Sequence, residues 1–216
     1  VTWISSLEYT SVLISGVLVT TTPIWVAILE VFVLKSKLSR GVILGLIVAL
    51  IGGMIIATPS GGTITPPTAN NPLLGGFLAL AGAWAVAVYL IVGRKMRSGL
   101  SLTPYIFMVY GVGAITSIII ILITGTPFTG LSPAGYGWVV LVAVMPQLIG
   151  HSSLNYALAY LPATIVSLST QTEPILSAIG AYLVFGELPS WIQAFGGAII
   201  LTGVIFATIS NKKADS

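Results

Sequence analysis

The amino-acid sequence predicts an all-α, polytopic integral membrane protein, and three observations support this fold class. Hydrophobic residues make up 56% of the 216 positions and charged residues only 6%, whereas soluble domains carry about 25% charged residues. The mean hydropathy is +1.07. Apolar runs of about 20 residues, the length that a bilayer requires, follow one another along the chain. These runs predict about seven transmembrane helices preceded by a short helical stub.

The predicted helices are separated by short polar loops or turns. We expect the stub at 1–8 and spans at 9–34, 41–58, 73–93, 103–124, 134–158, 162–186 and 190–210. The uncharged segment PSGGTITPPTANNP, at 59–72, is rich in turn-forming residues and is the best internal boundary in the chain.

The composition excludes several classes of chemistry. The chain has no cysteine, which excludes disulfides, thiolate metal sites and cysteine nucleophiles. A single histidine leaves too few ligands for a metal centre, and neither a GKS/GKT motif nor a dinucleotide fingerprint is present. We therefore expect no cofactor and no metal. The net charge of +3 reports membrane topology, so no nucleic-acid partner is expected.

The basic residues predict the orientation of the helices. If the seven helices alternate in direction, all eight basic residues lie on one side of the membrane, which the positive-inside rule assigns to the cytoplasm. The opposite loops, at 59–72, 125–133 and 187–190, contain neither lysine nor arginine. The sequence thus predicts a multi-pass protein of the plasma or inner membrane with a cytoplasmic C-terminus.

The chain contains an internal repeat at a shift of 151 positions. This shift places Pro23 on Pro174, and it also superposes two glycine pairs, Gly45 on Gly196 and Gly52 on Gly203. The helix with Pro23 ends at the basic loop 35–40, whereas the helix with Pro174 ends at the opposite surface. The copies therefore run in opposite directions, which is typical of secondary transporters.

Residues 9–57 and 156–208 resemble the ends of the two EamA repeats of the drug/metabolite transporter superfamily. The motif Glu173-Pro174 followed by Gly186-Glu187 matches the second repeat well. The first repeat departs from the pattern, because Ser36 stands where an acid is common and Thr22 stands opposite Glu173.

The resemblance implies an inverted arrangement of five plus five helices. Residues 1–58 would then be the C-terminal part of a first EamA repeat, and 59–72 an extracytoplasmic linker. The second repeat would cover 73–210, followed by a cytoplasmic tail at 211–216. About three helices are expected ahead of Val1 if the first repeat also has five.

Glu173 is the principal candidate for a functional residue, because an acid at membrane depth is costly. Pro174 follows it and removes a helix hydrogen bond, so Pro174 and its counterpart Pro23 are candidate hinges. Helical spacing from Glu173 predicts a small, polar face suited to substrate binding or coupling. Its other members are Ser169, Thr170 and Ser177.

The preceding helix adds three polar candidates, Gln147, His151 and Asn155, whose spacing of four predicts a common face. Trp84 is a further candidate for the wall of a cavity. For Gln147 and Asn155, hydrogen bonding that packs the helices together is the competing interpretation. For Glu30, five positions before Lys35, snorkelling or pairing with the basic loop is an adequate explanation.

These residues predict a secondary active transporter, an exporter of small metabolites such as amino acids, that works by alternating access. Its expected partners are a small-molecule substrate and the lipid bilayer, with coupling to protons and a homodimer left open. Two alternatives are a structural or regulatory membrane subunit and, with less support, a membrane-embedded enzyme.

Overall fold

The structure is a computed structural model that describes residues 2–10, 12–56, 71–125, 127, 129–185 and 190–214. Within these ranges the regular secondary structure is entirely helical. The helices are α1 Thr2–Tyr9, α2 Val12–Thr20, α3 Thr22–Val33, α4 Arg40–Ile56, α5 Pro72–Arg97, α6 Leu102–Thr124, α7 Pro133–Val142, the π-helical segment Ala143–His151, α8 Ser152–Ala157, α9 Ala163–Thr170, α10 Glu173–Phe185 and α11 Trp191–Ala214.

The helices confirm the predicted polytopic membrane protein. Among the described residues, five helical stretches are long and apolar enough to cross a membrane: Ile14–Val33, Pro72–Arg97, Leu102–Thr124, Pro133–Ala157 and Trp191–Asn211. α4 is apolar but shorter. The span predicted at 162–186 is not one continuous helix, because it divides into α9 and α10. Most of the predicted linker, 59–70, lies outside the described residues.

Several helices begin and end with the residues that satisfy their free backbone groups. The Ser132 hydroxyl accepts a hydrogen bond from the Gly135 N–H, 3.1 Å away, at the start of α7. Ser190 and Gln193 form a reciprocal capping box at the start of α11. α6 ends at Gly125, whose φ of 65° is the left-handed conformation that glycine adopts readily.

The two copies of the repeat break at corresponding residues. α2 ends at Thr20 and α3 begins at Thr22, while α9 ends at Thr170 and α10 begins at Glu173. Pro23 and Pro174 are each the second residue of the half-helix that follows the break. Proline fits there because the first turn of a helix has no hydrogen-bond partner for its N–H groups. The predicted hinge prolines thus each follow a local break, and in the first copy α2 and α3 still form one helical stretch, Ile14–Val33.

The corresponding helices α4 and α11 pack in antiparallel fashion, as an inverted repeat requires. A Cβ atom added to Gly45 would lie 2.5 Å from the Gly203 carbonyl oxygen, and one added to Gly52 would lie 2.7 Å from that of Gly196. Because Gly45 corresponds to Gly196 and Gly52 to Gly203, the two contacts are equivalent. Glycine at all four positions allows the helix backbones to touch.

The described helices divide into two compact units, 1–92 with 162–216 and the intervening 93–161. In the first unit, α4, α9 and α11 enclose an apolar core formed by Val42, Leu46, Ala49, Ile165, Leu168 and Ala207. Within the first unit, α9 and α11 of the second copy pack against α3 and α4 of the first.

In the second unit, the end of α5 meets the end of α8. The Arg94 guanidinium donates a hydrogen bond to the Leu158 carbonyl at 2.7 Å, and that of Arg97 donates to the Asn155 carbonyl at 3.0 Å. Cations suit this position because the last carbonyls of a helix carry partial negative charge. The sequence placed these arginines in a loop, whereas α5 continues to Arg97, whose side chain is buried.

Candidate functional site

The two interrupted helices are linked by a hydrogen bond at their breaks. The Gln171 side-chain amide, Nε2, donates to the Thr20 carbonyl oxygen at a distance of 3.0 Å. Gln171 and Thr20 are corresponding residues of the two copies, so this bond joins equivalent points of the inverted repeat. Gly53 lies beside both residues. A Cβ atom added to Gly53 would lie 3.9 Å from Gln171 Nε2 and 3.9 Å from Thr20 Cβ. The breaks of the first unit therefore meet at one place, which is the candidate functional site.

Threonine hydroxyls satisfy backbone carbonyls at both breaks. Thr21 Oγ1 donates to the Leu18 carbonyl at 2.6 Å, and its counterpart Thr172 donates to the Ser169 carbonyl at 2.7 Å. Each of these carbonyls also accepts a bond from the backbone N–H of the same threonine, at 3.3 and 3.2 Å, so the hydroxyl adds a second bond at the tightened turn. Threonine side chains are among the groups that help broken helices to be tolerated in membranes. The polar residues of TTTP and TQTEP thus have a structural use at the break itself.

Glu173 is the first residue of α10, and its side chain is exposed. The N-terminus of a helix carries partial positive charge, which favours an acidic side chain there and also attracts anions. Glu173 is therefore an exposed acid at the first turn of a half-helix that follows a break.

The other candidates on this stretch have mixed positions. The hydroxyls of Ser169 and Thr170 donate to carbonyls within their own helix, at 3.0 and 2.8 Å. Both side chains keep some exposure. The side chain of Ser177 lies outside the described residues. Because α9 and α10 are separate helices, one continuous helix does not carry the predicted polar face.

Two tryptophans, one from each copy, extend the site at the first break. The rings of Trp25 and Trp84 have centroids 5.6 Å apart and are tilted by 43°, a favourable arrangement for aromatic rings. Trp25 Nε1 donates a hydrogen bond to Thr21 Oγ1 at 3.1 Å, which fixes its ring beside the first break. The exposed fraction of Trp84 is 42%. The predicted cavity-wall residue thus belongs to an aromatic pair anchored at the break.

The second unit contains Gln147 and His151, both exposed and both within the π-helical segment. Pro146 lies inside this segment and lacks the N–H that an α-helix needs. Tyr110 fills the irregular region, because its hydroxyl donates to the Gln147 carbonyl at 3.2 Å and lies 2.9 Å from Ser152 Oγ. π-Helical turns occur frequently at functional sites.

The three polar candidates of this stretch differ in burial. Asn155 is fully buried in α8, whereas Gln147 and His151 are exposed. The Asn155 carbonyl accepts a hydrogen bond from Arg97, which favours a structural part for this residue.

Glu30 differs most from its predicted environment. Its exposed fraction is 1%, so the predicted snorkelling to the surface is wrong. One carboxylate oxygen accepts a hydrogen bond from the Ala163 N–H at 2.9 Å. The other accepts from the Thr164 N–H at 2.8 Å and from Thr164 Oγ1 at 2.5 Å. Glu30 of the first copy therefore caps α9 of the second.

A cavity of about 410 Å³ lies between α10 and α11 in the first unit. Its lining is mostly apolar, with Tyr182 and Gln193 as polar members, and it includes Pro174. The oxygen of the Gln193 side chain is already engaged in the cap of α11. This cavity adjoins the second break and offers space for an apolar group.

The comparisons with known proteins identify the family of this chain. Residues 73–209, more than half of the sequence, match the family described as the EamA-like transporter family. The chain belongs to the EamA-like transporter family. This result confirms the family that the sequence resembled.

Several relatives of this member of the EamA-like transporter family carry the same functional description. The "Uncharacterized transporter YdfC" of Bacillus subtilis is 24% identical over 93% of this chain and 63% of its own length. An "Uncharacterized transporter" of Clostridium kluyveri is 25% identical, covering 97% and 68%. The chain thus spans about two thirds of the length of these relatives. A solved crystal structure, 18% identical, matches with a TM-score of 0.80 over 96% of this chain and 72% of its own, which supports the fold.

Sequence reasoning did not anticipate the contacts of three residues that lie beside candidates of their own unit. They are Tyr110 and Arg97 in the second unit and Glu30, as a cap, in the first. Only Glu30 had a readable signal, because α9 follows Pro162, and a proline side chain provides no oxygen for a cap. The other two contacts depend on helix packing that no local pattern reports.

Proposed function

We propose that this protein is a secondary active transporter that moves small metabolites across the membrane by alternating access, in the direction of export. The observation that carries the proposal is the meeting of two interrupted helices from inverted copies, joined by the bond from Gln171 to the Thr20 carbonyl. Interrupted helices place free backbone groups and helix termini at membrane depth, where a transporter binds its solute and coupling ion.

Glu173 is the proposed binding or coupling group. Its carboxylate is exposed at the start of α10, so it can accept a proton or pair with a cationic group of the cargo. An amino compound with an apolar body fits the surroundings, because the apolar cavity beside Pro174 and the Trp25–Trp84 pair lie in the same unit. His151 and Gln147 are proposed as further polar contacts of the transport path.

The charge distribution supports an orientation for this transporter. The proposed cytoplasmic side carries the loops with all the lysines and arginines, as well as the C-terminus. The plasma or inner membrane is the proposed location. The proposal also includes coupling to protons, which substitution of Glu173 would test. It further includes a homodimeric state, which a measurement of molecular mass in detergent would test.

The experiment compares Glu173→Gln with the parent protein in proteoliposomes. Efflux of radiolabelled amino acids, supplied as a defined mixture, is followed with and without an imposed pH gradient. Glu173→Gln keeps the size of the side chain and removes its charge, so we expect at least a tenfold loss of gradient-driven transport. Glu8→Gln, which neutralises an exposed acid in α1, is the matched control and should transport normally.

Two outcomes would contradict the proposal. If Glu173→Gln transports as well as the parent across the pH range, the carboxylate only contributes to packing. If the parent moves none of the amino acids, the proposed substrate class is wrong. A protein that moved no solute at all would favour the structural subunit, and formation of a covalent product would favour the enzyme.

A further inference from the structure

The start of α9 lacks a cap of its own. The residue before this helix is Pro162, which makes no side-chain cap. The first N–H groups of a helix have no partner within it, and leaving them unpaired inside a membrane protein is costly. Ala163 and Thr164 are both fully buried, so water does not satisfy these groups. The helix therefore depends on an acceptor from another part of the chain.

Glu30 supplies this acceptor from the last turns of α3. Its two carboxylate oxygens receive three hydrogen bonds from the first two residues of α9, and the side chain is almost completely buried. α3 also packs along α9. Hydrogen bonds to an ionised group are stronger than bonds between neutral groups. The contact thus joins the first copy to the second at the end of α3.

The equivalent contact on the other side of the repeat is missing from the sequence. The counterpart of Glu30 is Ala181, which has no oxygen to offer. The counterpart of Pro162 is Ser11, a residue type that caps a helix with its own hydroxyl. Among the described residues, α2 and α10 make no contact comparable to that between α3 and α9. In the part of the chain that the structure describes, the carboxylate cap is therefore found between α3 and α9 and not between α2 and α10.

This asymmetry has a direct meaning in an inverted repeat. Alternating access exchanges the conformations of two similar halves, so a contact formed on one side should open while its counterpart closes. A buried carboxylate that must lose three hydrogen bonds opposes such opening. The basic loop 35–40 follows α3, which places the contact towards the side of the membrane where that loop lies.

We propose that Glu30 is a conformational lock that holds the end of α3 on the start of α9 and must release in each transport cycle. The proposal rests on the alternating access proposed above. The lock biases the resting protein towards the conformation closed on the side of loop 35–40. Glu30 acts through the position of α9, so it is a positioning residue and makes no contact with the cargo.

The test uses a single thiol in a chain that has no natural cysteine. Ala163→Cys places the thiol at a fully buried position beside the lock and leaves the backbone N–H in place. The rate of its modification by N-ethylmaleimide is measured on the purified protein in nanodiscs, without cargo. Adding Glu30→Gln should raise this rate at least tenfold, because an amide replaces one acceptor oxygen with a donor.

A second variant separates the lock from a simple cap. Pro162→Ser gives α9 a local cap, so it should restore the melting temperature of Glu30→Gln. Pro162→Ser and Glu30→Gln are then combined in the protein that carries Ala163→Cys, and this combination is called the double variant. If Glu30 is a lock, the thiol of the double variant stays reactive. Parent-like reactivity in the double variant, or in Glu30→Gln alone, would overturn the proposal. Because no transport is measured, a failure of the lock can be told apart from a failure of the proposed function.

Discussion

The two interrupted helices have the same backbone plan and different chemistry. Both break just before a proline, and both use threonine hydroxyls to satisfy carbonyls at the break. In the first copy Thr22 and Pro23 are buried, whereas in the second Glu173 is exposed at the corresponding place. The comparison shows that the break belongs to the architecture, while the carboxylate belongs to one copy. Function is therefore expected to depend more on the second break.

The largest effect should come from the glycines that relate the copies. Gly45→Val would place a side chain against the Gly203 carbonyl, and its counterpart Gly196→Val would meet Ile56 and the Gly52 carbonyl, 2.9 Å from the added Cβ. We expect each variant to lose about 3 kcal/mol of stability, since overpacking costs about 1–3 kcal/mol and backbone atoms yield little. Thermal unfolding in detergent measures both losses.

Gly16→Ala is the control for these substitutions. Gly16 lies within α2 with nothing inside 4 Å of an added Cβ, so alanine should be neutral or slightly stabilising. Unequal losses for Gly45→Val and Gly196→Val would show that the two contacts are not equivalent in the folded protein, and the symmetry of the interface would have to be abandoned.

A smaller effect is expected at the bond between the two breaks. Gln171→Leu removes the donor to the Thr20 carbonyl and leaves that acceptor unsatisfied, at a cost of about 2 kcal/mol. Thr20→Ala keeps the carbonyl and should preserve the bond, at the loss of one hydroxyl that donates within α2. The melting temperatures of the two variants check this contrast. Equal losses would mean that the bond adds little to stability.

The smallest effect concerns Lys35, which has a φ of 54° at the end of α3. A residue with a side chain pays about 1–2 kcal/mol in this left-handed conformation. Lys35→Gly should therefore stabilise the protein by about 0.5–1 kcal/mol, after the greater flexibility of unfolded glycine is subtracted. The second copy carries Gly186 at the corresponding position. A higher melting temperature is the expected result.

Lys37→Gly is the matched control, because it removes the same charge from an exposed position in the same loop. It should lower the melting temperature or leave it unchanged, since Lys37 has no positive φ to relieve. If both glycine variants gain equally, charge repulsion within the loop explains the gain and the backbone conformation does not.

Much of the fold was predictable because the length and hydropathy of apolar segments identify membrane helices. The repeat was also readable, since Pro23 and Pro174 share a register that chance apolar matches rarely provide. The break at Gln171 was less visible, because a single proline can either kink a helix or divide it. Whether a given proline divides its helix depends on the packing around it, which the sequence does not show.

The candidate site was less predictable than the fold. Glu173 stood out because placing an acid in an apolar run costs free energy. Its exposed side chain is compatible with that interpretation. Glu30 was misread, because its distance from Lys35 suggested a surface environment while its true partner lies 133 positions away. Asn155 is buried whereas Gln147 and His151 are exposed, a difference that their spacing of four does not predict. Caps between distant residues and irregular helical segments cannot be predicted from the spacing of residues in a sequence.

The antiparallel contact of α4 with α11 has a consequence for how the chain can change over generations. In a dimer of two identical half-proteins, one substitution at Gly45 would change both ends of this contact and would disturb the packing at two places. In the joined chain Gly45 and Gly196 are separate codons, so each half can vary alone. Such independence allows a single-sided feature such as the Glu30 cap to arise without a copy of it appearing at Ala181.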